Sequence, residues 1–269
     1  MKNRLELQQS LFKQKAVKVI SGLNNFNLDN VLSIVQAANL GEATYLDICA
    51  NSQIIKKVKQ NTNLPVCASV LDIRGLEIAL EAGIDMIELG NFDSLYNEGY
   101  QIDSNYILQL TKEIKIKYPN LYLCVTIPHI LKLEDQIKLA QSLEKLDIDL
   151  IQTEGYVSLS KNCNLVNNIS RTFSTLSSTF ALANSICLPI ITASNISDVT
   201  APLAISYGAS GIGVGSNITN LVEVISMANK IKDLKTSLEL SQSLNFDLNI
   251  LQHNLLGNKQ LSNLPTHKF

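Results

Sequence analysis

Eight short β-branched runs recur along the chain, each ending in a polar or glycine turn and handing over to a segment with apolar residues at helical spacing. They are Ala16–Ile20, Ala43–Ala50, Pro65–Leu71, Met86–Leu89, Leu121–Ile127, Leu150–Glu154, Pro189–Ala193 and Gly211–Gly215. Their starts fall roughly 20 to 40 residues apart, the length of one strand-plus-helix unit. Strands joined through helices must run parallel and be covered by those helices. An open doubly wound sheet usually has five or six strands and often carries a glycine-rich loop after its first. Here the runs number eight and the glycine-rich one comes last. The pattern predicts an α/β fold, a single (β/α)8 barrel.

The segments between the runs carry the helical period. Leu28–Leu40 sets Val31, Ile34, Val35 and Ala38 on one face, with Gly41 expected as its stop. Arg74–Ala82 ends at Gly83 and Pro202–Tyr207 at Gly208, so both helices are expected to end on a glycine cap before the next strand. Met1–Lys15 mixes charge with Leu5, Leu7, Leu11 and Phe12, which predicts an amphipathic helix with no signal-peptide core. Residues 236–269 hold Leu238, Leu240, Leu244, Phe246, Leu248 and Leu251, expected as a helical tail packed outside the barrel or on a second subunit. The expected organisation is therefore 1–235, a barrel with an N-terminal helix, followed by 236–269, a C-terminal helical extension; a homo-oligomer is one use for that tail.

Composition narrows the partners. A hydrophobic content of 46% suffices for a large core, and a net charge of −2 gives no pull towards nucleic acid or an acidic membrane. No apolar run approaches the ~18 residues needed to span a bilayer. Cys49, Cys67, Cys124 and Cys187 lie in apolar runs and Cys163 in a polar loop, with no CxxC spacing. They read as reduced, mostly buried small hydrophobes. Asn, Ile, Leu and Lys are abundant while Arg occurs only at 4, 74 and 171, the residue bias of an AT-rich genome such as an organelle's.

The sharpest motif is Gly211-Ile-Gly213-Val-Gly215-Ser216-Asn217. Alternating glycines bare one side of a strand and its exit, so that backbone N–H groups can meet a phosphate. In barrels this task falls to the loops after strands seven and eight, and Ala193-Ser194-Asn195-Ile196-Ser197 is the partner loop, its helix capped by Ser197 or Asn195. The expected phosphate-binding residues are Asn195, Gly213, Gly215 and Ser216. Glycines that merely relieve crowding at a barrel corner are the plain alternative. A dinucleotide fingerprint fits poorly, because the third glycine comes one residue early and Asp233 lies in a helical pattern.

Candidates for chemistry are expected at the C-terminal ends of strands, where barrel enzymes place it. Asp47, Asp72, Glu88, His129 and Glu154 follow runs two to six in that order. Converging carboxylates can share a proton or hold a divalent metal, although the spacing specifies no metal site. Each alone can equally be a helix cap or a rim ion pair, and Asp72 suits a cap. Lys18 lies between Val17 and Val19, so it faces the side opposite to them. Inside the barrel it would be a Schiff-base amine or a partner for Asp47 or Glu88; at the barrel's bottom it would be a structural ion pair. The catalytic candidates are Lys18, Asp47, Glu88, His129 and Glu154. Two long loops, Asn91–Ser104 with Phe92, Tyr96 and Tyr100, and Tyr156–Asn168, are candidate lids. Tyr96 and Tyr156 could stack on a flat ring or simply pack the loops.

The segment Gly208–Ser216 with Ala193-Ser194-Asn195 before it resembles the phosphate-binding half of flavin-binding and phospho-substrate TIM barrels, such as nitronate monooxygenases and the thiamin-phosphate and thiazole synthases. Asn195 stands where those families usually have glycine. Over nearly the whole chain, Lys18–Phe26, Leu46-Asp-Ile48 and the glycine segment resemble a conserved open-reading-frame family of plastid genomes that is also cyanobacterial. That resemblance implies a barrel and a chloroplast (plastid stroma) setting, and carries no reaction with it. The expected ligand is a phosphorylated small molecule, with no nucleic acid or membrane partner. It would be handled by a lyase, synthase or isomerase type of enzyme, by an FMN-dependent oxidoreductase using the same phosphate site, or by a barrel that senses the metabolite without turning it over.

Overall fold

In the computed structural model eight parallel strands close on themselves in the order β1-β2-β3-β4-β5-β6-β7-β8. The structure describes residues 2–90, 92, 96, 102–155 and 165–240. The strands are β1 (Ala16–Ile20), β2 (Tyr45–Cys49), β3 (Val66–Val70), β4 (Met86–Leu89), β5 (Leu123–Ile127), β6 (Leu150–Thr153), β7 (Ile190–Thr192) and β8 (Gly211–Val214). Between them run α2 (Leu28–Leu40), α3 (Ser52–Lys59), α4 (Ile73–Glu81), α5 (Ser104–Lys117), α6 (Leu133–Glu144), α7 (Leu165–Ala183) and α8 (Ala201–Ser206). Helix α1 (Lys2–Phe12) precedes the barrel; the short α9 (Ser216–Thr219) and a helix over 224–240, α10, follow it. The expected fold is the observed one.

Alternation along each strand sorts the side chains between two environments. Val17, Val19, Leu46, Ile48, Ile87, Val125 and Ile151 join the large apolar cluster beneath the helices. Their neighbours Ala16, Tyr45, Cys67, Met86, Cys124, Leu150 and Ile191 form a second cluster, with Leu7 and Leu11 of α1. Helix α1 therefore stops the barrel from below. Burial of two leucines contributes roughly 1.5–3 kcal/mol each, and Arg4 pins the helix by an ion pair to Asp149 at 3.1 Å. Leu5 and Phe12, expected on the apolar face, are 57% and 89% exposed, because only the i, i+4 pair Leu7 and Leu11 points at the barrel.

Local chemistry accounts for the helix starts. Asn27, Asn51, Asp72 and Asp103 each cap a helix, their side chains accepting backbone N–H groups one turn on. Gly83 and Gly208 take positive φ as the cap glycines their sequence position predicts. Gly41 does not: its φ is −81°, and Glu42 adopts the left-handed conformation instead. A Cβ at position 41 would come within 2.7 Å of Ile231, so this glycine lets α10 pack closely against the end of α2. Helix α10 runs through position 236, where the tail was expected to begin, and the rest of that tail, 241–269, lies outside the described residues. Among the described residues no helix is long and apolar enough to cross a membrane.

Candidate active site at the open end of the barrel

Helix α1 packs against one end of the barrel, and the polar groups of interest stand towards the strands' C-terminal ends. Above the apolar floor lies a layer of polar side chains drawn from six consecutive strands: Lys18, Asp47, Ser69, Glu88, Thr126 and Gln152. All are 2% exposed or less. The Lys18 ammonium pairs with Asp47 at 3.1 Å and with Glu88 at closer range, and donates to Gln152 Oε1 at 2.9 Å. The Ser69 hydroxyl bonds both oxygens of Asp47, at 2.8 and 2.9 Å. Gln152 Nε2 donates to Glu88 Oε1 at 2.7 Å, and the Thr126 hydroxyl does so at 3.2 Å.

The electrostatics of this layer are unbalanced by one carboxylate. Burial pulls the Lys18 amine down, but Asp47 and Glu88 outweigh it and hold the amine well above the ordinary lysine range. Three acceptors already meet its three N–H groups, so it is a held cation and not a free nucleophile. Burial pushes the Asp47 carboxyl up to about 6, with Lys18 opposing and Glu88 adding to the rise. The thiols of Cys67 and Cys124 are driven up by burial and stay protonated.

Sequence reasoning placed Asp47 and Glu88 at strand ends. They stand within β2 and β4, one layer deeper, because the period of two turns them into the lumen with Lys18. Asp72 caps α4 through a 2.7 Å bond from the Gly75 N–H and takes no part in the site. His129 and Glu154 do meet at the mouth. Glu154 Oε1 accepts the His129 backbone N–H at 2.9 Å, faces its Nδ1 at 3.0 Å and accepts the Tyr96 hydroxyl at 2.8 Å. The Tyr96 ring stands edge-on to the imidazole at 5.0 Å. Sequence reasoning missed Gln152, Ser69 and Thr126; the clue was their shared parity with Glu154, Cys67 and Cys124. Tyr100, Tyr156, Cys163 and most of both candidate lids lie outside the described residues. Cys187, read as apolar and buried, is exposed.

A cavity of about 330 Å³ opens beside Glu154, walled by Ser194, Asn195, Gly213, Gly215 and Ser216, with Gln152 and Ile20 among its lining. The three glycines differ. A Cβ on Gly211 would lie 2.4 Å from the Ala16 carbonyl oxygen, so crowding requires that glycine. On Gly213 it would be tight, at 3.0 Å from Ala193 and 3.2 Å from Ile20. On Gly215 it would meet nothing closer than 3.7 Å, and φ there is −115°. Packing does not demand glycine at 215 and its φ is not left-handed, although ψ of −88° sets its backbone apart from the regular helix and strand regions. The backbone N–H groups of Gly215 and Ser216 meet no acceptor among the described residues. Ser194 and Asn195 take φ of 78° and 57°, which explains why glycine suits position 195 and why Asn can replace it. The Asn195 amide donates to Thr172 at 3.0 Å, and so joins α7 to this loop. Neither Asn195 nor Ser197 caps α8; Thr200 stands there, after a reciprocal Ser197–Thr200 hydrogen-bonded turn.

Over residues 1–244 the chain matches the family described as "Protein of unknown function (DUF561)". Its relatives include ycf23 homologues in plastid genomes of red algae and Cyanophora. "Uncharacterized protein ycf23" of Porphyra purpurea is 42% identical over 88% of this chain and 90% of its own length. That of Cyanophora paradoxa is 39% identical over 90% and 99%. Among solved structures, thiamine phosphate pyrophosphorylase from Pyrococcus furiosus aligns with a TM-score of 0.58 at 18% identity, covering 86% of this chain and 98% of that one. A 3-hexulose-6-phosphate synthase aligns at 0.57 and 17%, covering 82% and 99%. At such identities the likeness is one of fold.

Proposed function

The chain belongs to the DUF561 family, and we propose that it binds a phosphate-bearing small molecule at the barrel mouth and acts on it as an enzyme of the lyase, synthase or isomerase type. One observation carries this reading: Gly215 is a glycine that neither its neighbours nor its φ requires, in the wall of a cavity, with its own N–H and that of Ser216 turned to no described acceptor. A bare backbone of this kind admits a phosphate oxygen to hydrogen-bond distance. Two fold neighbours are named for phosphate compounds, which agrees with the reading. The proton-transfer group reachable from this cavity is Glu154, oriented by His129 and Tyr96. That relatives are encoded in plastid genomes supports a plastid setting in the same reading.

The direct test is binding of inorganic phosphate, followed by thermal shift and phosphorus NMR, with Gly215→Asp as the control that sets a carboxylate in the wall. Saturable binding that Gly215→Asp abolishes while the fold persists is the expected result. A protein indifferent to phosphate and to added flavin mononucleotide would sink the proposal. A second reading, a barrel that binds its ligand without turning it over, is favoured by the saturation of Lys18 by three acceptors. Turnover of a phosphorylated compound found to bind, lost on Glu154→Gln with binding intact, would decide for the enzyme.

A further inference from the structure

Gln152 belongs to two environments at once. It lines the cavity and, through the same amide, touches both ends of the buried ion pair: its carbonyl oxygen accepts from Lys18 and its NH₂ donates to Glu88. Across the β1–β8 ladder, Lys18 stands opposite Gly213, so β8 sets no side chain in the lumen beside the ammonium. A Cβ there would come 3.4 Å from Gln152 Oε1. The bare wall thus runs down from Gly215 through Gly213 to the point where the amide carbonyl meets the ammonium.

A polar layer of this kind is costly in a barrel interior. Replacing buried ion pairs by apolar residues of similar size is often neutral or stabilising. A barrel lumen is usually filled by branched apolar side chains. Six strands instead supply hydrogen-bonding groups that converge on one cation and its two carboxylates.

We propose that the Gln152 carbonyl occupies the place of a ligand carbonyl, and that the ligand is a short phosphorylated carbonyl compound whose C=O binds Lys18 once the Gln152 amide turns aside. The phosphate would rest at Gly215 and Ser216, the carbon chain would pass Gly213, and the carbonyl oxygen would take the ammonium N–H that Gln152 now holds. This assignment rests on the phosphate reading above and names its substrate class. A carbonyl polarised by an ammonium between two carboxylates is what proton abstraction beside that carbonyl requires.

The test compares two probes with the same phosphate and carbon count on the wild-type chain: dihydroxyacetone phosphate, which has a carbonyl at its central carbon, and 3-hydroxypropyl phosphate, which has a methylene there and so no acceptor for Lys18. The expected result is that the carbonyl compound binds about tenfold to a hundredfold more tightly, the range of a hydrogen bond to a charged group. Gln152→Ala should widen that ratio, since no amide then competes for Lys18. Equal affinities for two probes that both bind would overturn the carbonyl assignment and leave the phosphate site standing. Failure of both probes and of inorganic phosphate to bind would overturn both proposals together.

Discussion

Glu154 meets His129 twice through a single oxygen, accepting its backbone N–H at 2.9 Å and facing its imidazole Nδ1 at 3.0 Å. Tyr96 is the third group on that oxygen, at 2.8 Å, and it arrives from the loop after β4. The carboxylate therefore ties three connections of the barrel mouth together. Tyr96→Phe removes one hydrogen bond to a charged acceptor at a partly buried position. It should lower stability by about 1–2 kcal/mol, a fall in Tm of about 2–8 °C. Scanning calorimetry reads this directly, and a Tm unchanged within about 1 °C would mean that the carboxylate does not hold the tyrosine in solution.

Lys18 gives a larger effect by the opposite route. Lys18→Met leaves Asp47 and Glu88 buried without their cation, and loss of one partner from such a set costs about 3–5 kcal/mol. The triple variant Lys18→Met, Asp47→Leu, Glu88→Leu removes the charges together and should recover much of that loss. Urea unfolding of the two variants decides the point. A Lys18→Met chain as stable as the wild type would show that the ion pairs contribute nothing.

Asp47 gives stability an unusual pH dependence. Its carboxyl is raised to about 6 in the fold from an ordinary value of 3.8, chiefly by burial. Between those values the folded chain holds a proton that the unfolded chain has released, so this group's contribution is fully present below pH 4 and is lost as pH rises through 6. The loss is on the order of 2–3 kcal/mol. Asp47→Asn has no such titration, so its stability relative to wild type should rise between pH 4.5 and pH 7.5. Urea midpoints at the two pH values test the sign, and a relative fall would refute it.

Gly211 and Gly215 look alike in the sequence and should behave differently. Gly211→Ala drives a methyl to 2.4 Å from the Ala16 carbonyl and should cost about 1–3 kcal/mol through overpacking. Gly215→Ala meets only ordinary contacts and should cost less stability than Gly211→Ala, while weakening phosphate binding by about tenfold as its methyl crowds the bare wall. Melting curves and phosphate titration on both variants separate a glycine kept for packing from one kept for a ligand.

The barrel itself was legible because each strand announces itself by β-branched residues and by a turn that follows. Parity also put Lys18 on the face opposite to Val17 and Val19. Depth was harder to read. The run Ala43–Ala50 outlasts the strand Tyr45–Cys49, and that slack decides whether Asp47 sits at the rim or one layer below it. Gln152 escaped notice because a neutral amide carries no chemical signature, and its partner Lys18 lies 134 residues away. Asn195, expected to bind phosphate, lines the cavity, and only the packing of α7 could reveal that its amide is spent on Thr172.

Tyr45 lies in the same parity as Lys18, and its hydroxyl is buried with no partner among the described residues. A buried donor left unpaired costs about 1–3 kcal/mol. The ring itself is well used, packed against Cys67, Met86 and Cys124 in the cluster that α1 closes. Tyr45→Phe keeps that packing and removes only the orphan oxygen, so it should stabilise the protein by about 1 kcal/mol or more and raise Tm by about 2–4 °C. An ordered water bridging the hydroxyl to the polar layer above would reverse the sign, since the phenylalanine would then strand the water's other partners. A fall in Tm on Tyr45→Phe would therefore place a buried water beneath Lys18 and extend the polar layer one step further down the barrel.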